Sequence, residues 1–78
     1  MEALNLEFIK AKRTKMGLTF QEMADFMGMK NASTYYKYEV GQYAFKADQL
    51  PLLADSLKCK ITDFFTRNVA ESATKEVS

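Results

Sequence analysis

The apolar side chains in two stretches of the chain recur at positions i, i+3, i+4 and i+7, the spacing that covers one face of an α-helix. They are Phe20, Met23, Ala24 and Met27 in one stretch and Leu50, Leu53, Ala54 and Leu57 in the other. An earlier helix is predicted from about Leu4 to Met16. A final short turn, capped by Thr62, is predicted to bury Ile61, Phe64 and Phe65. The pattern therefore predicts an all-α chain.

Capping residues indicate where these helices begin and end. Thr19 and Glu22 have the spacing of a capping box, in which each side chain bonds the exposed amide of the other residue. Asn31 is the predicted N-cap of a third helix that runs from Ala32 to Val40. A glycine follows each of the first three helices, where it can adopt left-handed backbone angles without a steric penalty. These glycines are Gly17, Gly28 and Gly41.

The third predicted helix has one face of mixed chemistry. The side chains on it follow the same i, i+3, i+4, i+7 spacing and are Ser33, Tyr36, Lys37 and Val40. Such a face is unusual for a helix surface in solvent and unusual for a core, so it predicts a surface that contacts another molecule. Tyr35 and Tyr38 are i, i+3 neighbours that share a different face of the helix, and they are predicted to belong to the core.

The composition fits one small globular domain, with 78 residues of which 47% are hydrophobic and 27% charged. We predict that the domain covers residues 1–67 and that the polar residues 68–78 form a disordered tail. The net charge is +1, and residues 10–15 carry four cations and no acid. This charge is compatible with a nucleic-acid ligand but does not require one.

Several classes of function are excluded by residue counts. The chain has no histidine, so it lacks an imidazole base and a histidine metal ligand. Its one cysteine cannot form an internal disulfide or a cysteine zinc cluster. No apolar run is long enough to span a membrane, and the N-terminal residues do not form a signal peptide. We therefore expect a cytoplasmic protein that is not an enzyme and binds no cofactor, metal or membrane.

Two helices joined through a tight turn, the second with an exposed mixed face, describe a helix-turn-helix. The residues resemble the lambda-repressor-like, Cro/XRE-type family of DNA-binding proteins. The resemblance rests on Gly17-Leu18-Thr19-Phe20-Gln21-Glu22-Met23-Ala24, on Gly28-Met29, on Ser33-Thr34-Tyr35 and on Glu39-Val40-Gly41. Two later segments, Leu50–Leu57 and Ile61–Phe65, match the fourth and fifth helices of the family. The resemblance covers roughly residues 4–66 and implies a compact four- to five-helix domain.

The resemblance also implies roles for individual residues. In this family the third helix enters the major groove of DNA. Carried over by position, the residues that would face the bases are Ala32, Ser33, Tyr36 and Lys37. Those that would contact phosphates are Thr19, Gln21, Lys30, Tyr43 and Lys46. The family also places an arginine at position 13 for an internal ion pair, here with Glu39 as the candidate partner.

The chain departs from the family pattern at three points. Phe20 stands where the family usually has a glutamine that contacts the phosphate backbone. Val40 replaces the asparagine of Glu-Asn-Gly, and one extra residue lies between Gly28 and Glu39. These departures leave the predicted fold unchanged, but they give weight to ligands other than DNA.

Three functions are compatible with these residues. The first is a sequence-specific transcriptional regulator, such as a small phage or mobile-element repressor that binds an operator and occludes a promoter. The second is a helix-turn-helix modulator or antirepressor that binds another regulator through an apolar strip formed by Phe20, Phe26, Tyr36 and Val40. The third is the antitoxin of a toxin–antitoxin pair. A homodimer would have to pair through the C-terminal helix, with Phe64 and Phe65, or through the tail.

Overall fold

The computed structural model describes residues 4–65, and all regular structure in that span is helical. Four α-helices, α1 to α4, span Leu6–Lys15, Phe20–Met27, Ala32–Glu39 and Leu50–Leu57. Two short 3₁₀ helices, Ala47–Gln49 and Ile61–Phe65, precede and follow α4. These elements confirm the predicted all-α, four- to five-helix fold. The predicted polar tail, residues 68–78, lies outside the described residues.

Each of the first three helices begins after an N-cap residue whose side chain bonds an exposed backbone amide. Asn5 Oδ1 accepts from the backbone N–H of Phe8 at 3.0 Å, so α1 begins two residues later than the apolar spacing predicted. The predicted capping box of α2 is confirmed, because Thr19 Oγ1 accepts from the N–H of Glu22 and Glu22 Oε1 accepts from the N–H of Thr19. Asn31 caps α3 as predicted, since its side chain accepts from the N–H of Thr34.

The helices end at residues with positive φ or beside them. Gly28 ends α2 with φ +70°, and Gly41 follows α3 with φ +93°. A Cβ atom at position 41 would lie 3.3 Å from Leu6 Cδ1, so α1 also restricts this site. Lys58 ends α4 with φ +56° although it is not a glycine.

The core lies where α1 to α4 and the last 3₁₀ helix meet. Its buried hydrophobic residues are Ile9, Met23, Ala24, Met27, Tyr35, Leu53, Ala54, Leu57 and Phe64. The rings of Phe8 and Phe64 meet edge to face with centroids 6.1 Å apart, and this contact joins α1 to the last 3₁₀ helix. Burying one aliphatic or phenylalanine side chain of this kind stabilises the fold by about 1.5–3 kcal/mol.

The last 3₁₀ helix differs from its prediction in three ways. Ile61 is 38% exposed instead of buried. Thr62 lies inside the helix and is therefore not its N-cap, whereas the side chain of Asp63 reaches back and accepts from the N–H of Lys60, the residue before the helix, at 3.0 Å. Phe64 is fully buried in the core, so its side chain cannot form the dimer contact predicted for it. Phe65 is half-buried.

Candidate nucleic-acid interface

A tight turn fixes the relative position of α2 and α3. The N–H of Met29 donates to the carbonyl oxygen of Ala24 at 2.8 Å, and the N–H of Gly28 donates to that of Asp25 at 3.2 Å. This bonding closes the end of α2 and leads the chain through four residues to the start of α3. The two helices also form the largest helix–helix contact among the described residues. They constitute the two helices of a helix-turn-helix.

One side of α3 faces the core and the opposite side faces solvent. Tyr35 and Glu39 are buried, whereas Ser33, Tyr36 and Val40 are exposed. Residues one turn apart share a helix face, so the exposed residues form one continuous outward face. We call it the α3 outward face and include in it the two half-buried members that flank it, Ala32 and Lys37. All four predicted base-contact residues therefore lie on this face.

A buried ion pair holds α3 against α1. Arg13 Nε lies 2.8 Å from Glu39 Oε2, and Arg13 Nη2 donates to Glu39 Oε1 at 3.1 Å. The hydroxyl of Tyr35 also donates to Glu39 Oε2, at 2.8 Å. Burial, and after it the negative charge of Glu39, raises the pKa of Tyr35 well above its ordinary value. The distances between Arg13 and Glu39 confirm the ion pair that the family resemblance implied.

The same arginine organises the start of α2. Arg13 Nη1 donates to the carbonyl oxygen of Leu18 at 2.9 Å, and its guanidinium carbon lies 4.3 Å from the centre of the Phe20 ring. The Phe20 ring meets the Tyr36 ring edge to face, with centroids 5.3 Å apart and an interplanar angle of 77°. Phe20 therefore connects the internal ion pair to the α3 outward face.

Sequence reasoning missed this role of Phe20. It treated the residue as the loss of a family glutamine and as one member of an apolar strip. The cation at position 13 and the aromatic residue at position 20 were the available signal, because an arginine guanidinium readily stacks on an aromatic face.

The chain after α3 folds back on the end of that helix. The N–H groups of Gln42 and Tyr43 both donate to the carbonyl oxygen of Lys37, at 2.8 and 3.2 Å. The Tyr43 ring packs edge to face on Tyr38, and Lys37 Nζ lies 5.7 Å from the Tyr43 ring centre. One predicted base contact and one predicted phosphate contact are thus brought together, with the Lys37 ammonium group within cation–π range of the Tyr43 ring.

The other predicted phosphate contacts are exposed. Thr19 and Gln21 lie at the N-terminus of α2, Lys30 lies in the turn before α3, and Lys46 lies before the first 3₁₀ helix. Gln21 Nε2 already donates to Asp25 Oδ1 at 3.0 Å, so this side chain would have to exchange partners to bind a phosphate. Lys30, Lys37 and Lys46 form no ion pair with any residue from 4 to 65.

Other features of the described chain do not suggest a second site. Burial, and after it the carboxylate of Asp63, raises the pKa of the half-buried Cys59 thiol, the opposite of the shift that activates a cysteine nucleophile. Within residues 4–65, no group of three or more acidic or cysteine side chains is arranged to hold a metal ion. None of the helices in this span has the length and apolar character needed to cross a membrane.

The fold and the α3 outward face define a helix-turn-helix protein. A family model described as helix-turn-helix matches residues 9–64, which is most of the chain. The chain belongs to this family, the lambda-repressor-like, Cro/XRE-type helix-turn-helix proteins. It is in general terms a DNA-binding transcriptional regulator. No curated protein and no solved structure gives a significant match to it.

Proposed function

We propose that the protein is a sequence-specific repressor of the small phage or mobile-element type, which inserts α3 into the major groove of an operator. The observation that carries the proposal is the α3 outward face, which is held outward by the buried pair of Arg13 and Glu39. Ser33 and Lys37 would donate to base edges, and Lys37 suits a guanine O6 or N7. A repressor of this kind acts by occupying a promoter in the cytoplasm, without a chemical step or a cofactor.

Phosphate contacts would come from residues that precede α3 in the sequence and from residues that follow it. The first backbone N–H groups of α2, at Phe20 and Gln21, have no carbonyl partner within the helix and can bind an anion. Lys30 and Lys46 would add charge, and Thr19 and Tyr43 would add hydroxyl donors. These contacts would set the register of α3 and supply the salt-dependent part of the affinity.

The test is binding to DNA that flanks the chain's own gene, measured by fluorescence anisotropy while the salt concentration is varied. We expect one duplex to bind more tightly than an unrelated duplex, with an affinity that falls steeply as salt rises. Lys37→Ala and Ser33→Ala should each reduce the preference for that duplex, by about 1–3 kcal/mol for a good base contact. Lys58→Ala is a matched control, since Lys58 is an exposed lysine at the end of α4.

A protein-binding modulator or antirepressor is the second candidate. It is favoured by the exposure of apolar side chains on the helix-turn-helix, because Phe26 is 52% exposed, Val40 48% and Tyr36 45%. Phe20, the fourth member of the predicted strip, is half-buried between Arg13 and Tyr36. Absence of binding to every duplex at low salt would favour this function over the first. The antitoxin alternative depends on residues 68–78, which lie outside the described residues.

A homodimer would explain how so small a domain selects one operator, since dimers of this family bind two half-sites about one helical turn apart. With Phe64 buried, pairing through the C-terminal part would use the exposed apolar residues Leu52 and Ile61. Sedimentation of the parent chain and of Leu52→Glu, with and without DNA, would test this pairing.

A further inference from the structure

The α3 outward face is divided into two rows of different chemistry. Ala32, Tyr36 and Val40 follow one another at intervals of four residues and present methyl groups and a ring. Ser33 and Lys37 have the same spacing and present a hydroxyl and an ammonium group. Residues four apart lie above one another on a helix, so each set forms a row along the axis. We call them the apolar row and the polar row.

Tyr36, the largest member of the apolar row, lies beside α2, where it contacts Phe20. Tyr36 is 45% exposed, and its ring is supported by one edge contact with the Phe20 ring. Phe20 is held in turn by the guanidinium of Arg13 on its face. A side chain that is already packed loses less conformational freedom when it contacts a ligand, so Tyr36 is preorganised for contact.

We propose that Tyr36, positioned by Phe20, determines specificity by contacting the 5-methyl group of thymine in the major groove. This inference rests on the proposed DNA-binding function. Thymine alone among the four ordinary bases presents a methyl group in that groove, and apolar side chains recognise it by direct contact. The polar row would meet hydrogen-bonding base edges at the same time. The preferred site therefore has thymine beneath the α2 side of α3 and guanine beneath the Lys37 side.

The experiment removes the methyl group from the DNA. Duplexes are selected from a random-sequence library with the parent chain, and the best duplex is remade with each thymine replaced in turn by deoxyuridine. We expect at least one replacement to weaken binding about fourfold, which corresponds to the loss of one buried methyl group. Tyr36→Ala should weaken binding to the thymine duplex and abolish this difference. Tyr36→Phe should retain it, because the contact uses the ring.

Two further variants separate positioning from contact. Phe20→Leu keeps an apolar side chain but removes the ring edge, so it should reduce the thymine–deoxyuridine ratio while binding persists. Tyr43→Ala is the matched control, since Tyr43 is 46% exposed and lies outside the apolar row. It should weaken binding to both duplexes equally and leave the ratio unchanged.

The outcomes distinguish the inference from the proposed function. Circular dichroism shows which variants fold, and Tyr36→Gln replaces Tyr36→Ala if the latter does not. Equal binding of the parent to all thymine and deoxyuridine duplexes would overturn the inference while leaving DNA binding intact. A methyl preference that persists in a folded Tyr36→Ala or Tyr36→Gln chain would overturn the assignment to Tyr36. Failure of the parent to enrich any duplex would overturn the proposed function itself.

Discussion

Tyr35 and Glu39 lie one turn apart on the buried side of α3, and the tyrosine hydroxyl donates to the glutamate carboxylate. The Glu39 side chain is only 3% exposed, so its charge depends on this bond and on Arg13 for stabilisation. A buried carboxylate without such partners would be strongly unfavourable. One charged group and the two side chains that bind it therefore help to hold the buried side of α3 against α1.

Glu39→Gln should lower the free energy of unfolding by about 3–5 kcal/mol, because it leaves the largely buried guanidinium of Arg13 without a counter-charge. Denaturant unfolding followed by circular dichroism measures the loss. Asp55→Asn, at an exposed acid on α4, is the control and should change stability by no more than about 0.5 kcal/mol. Comparable stability of Glu39→Gln and the control would show that the ion pair of Arg13 and Glu39 contributes little to the free energy of unfolding.

Stability should depend on the ionisation of Tyr35 in alkaline solution. Because the pKa of Tyr35 is raised in the folded chain, the unfolded chain loses this proton first as the pH increases. The contribution of protonated Tyr35 to the free energy of unfolding is complete below about pH 10, the ordinary tyrosine pKa. Above that pH the free energy of unfolding falls by up to about 1.4 kcal/mol per pH unit. Unfolding titrations between about pH 9 and pH 11 should show a smaller decline for Tyr35→Phe than for the parent.

Two controls accompany this titration. Tyr43→Phe leaves Tyr35 in place and should decline as the parent does. Tyr35→Phe should also be less stable at neutral pH, by about 1.5–3 kcal/mol, because it removes a hydrogen bond to a charged acceptor. Parallel pH profiles for Tyr35→Phe and the parent would exclude Tyr35 as the responsible group.

Gly41→Ala should destabilise the fold more than Gly17→Ala. Both glycines have positive φ, +93° and +71°, and such angles cost a non-glycine residue about 1–3 kcal/mol. At position 41 the new methyl group would also press on Leu6 at 3.3 Å, whereas at position 17 nothing lies within 4 Å. Thermal unfolding of the two variants side by side measures the difference. A Gly17→Ala chain that unfolds at the lower temperature would contradict the proposed role of the Leu6 contact.

Lys30→Gln should reduce the salt dependence of DNA binding by about one phosphate contact, that is, by about 0.9 in the slope of log affinity against log salt concentration. The loss should be similar for all sequences, since phosphates carry no sequence information. Lys10→Gln removes an exposed lysine from α1, outside the helix-turn-helix, and should leave the slope unchanged. Equal slopes for parent and Lys30→Gln would remove Lys30 from the interface.

Features that depend on local chemistry could be predicted from the sequence. The capping box at Thr19, the N-cap at Asn31 and the left-handed Gly28 involve residues close together in the chain, so their spacing is visible directly. The outward orientation of Ser33 and Tyr36 follows from helical periodicity. The pair of Arg13 and Glu39 was also predicted, but only through the family resemblance, because the two residues are 26 positions apart.

Features that depend on tertiary packing could not be predicted in this way. The exposure of Ile61 is set by which side of a five-residue 3₁₀ helix meets the core, and apolar spacing does not resolve this over so short a segment. Lys58 ends α4 with a left-handed backbone that a glycine would normally mark. The packing of Phe20 between Arg13 and Tyr36 requires three elements to meet in space.

Through its contacts with both Arg13 and Tyr36, Phe20 connects the internal ion pair to the α3 outward face. A chain that acquired a new base preference by replacing Tyr36 would lose a partner of Phe20, and its thermal tolerance would change in the same step. Selection for a different operator would then favour paired replacements at positions 20 and 36. In such a lineage, operator preference and thermal stability would change together.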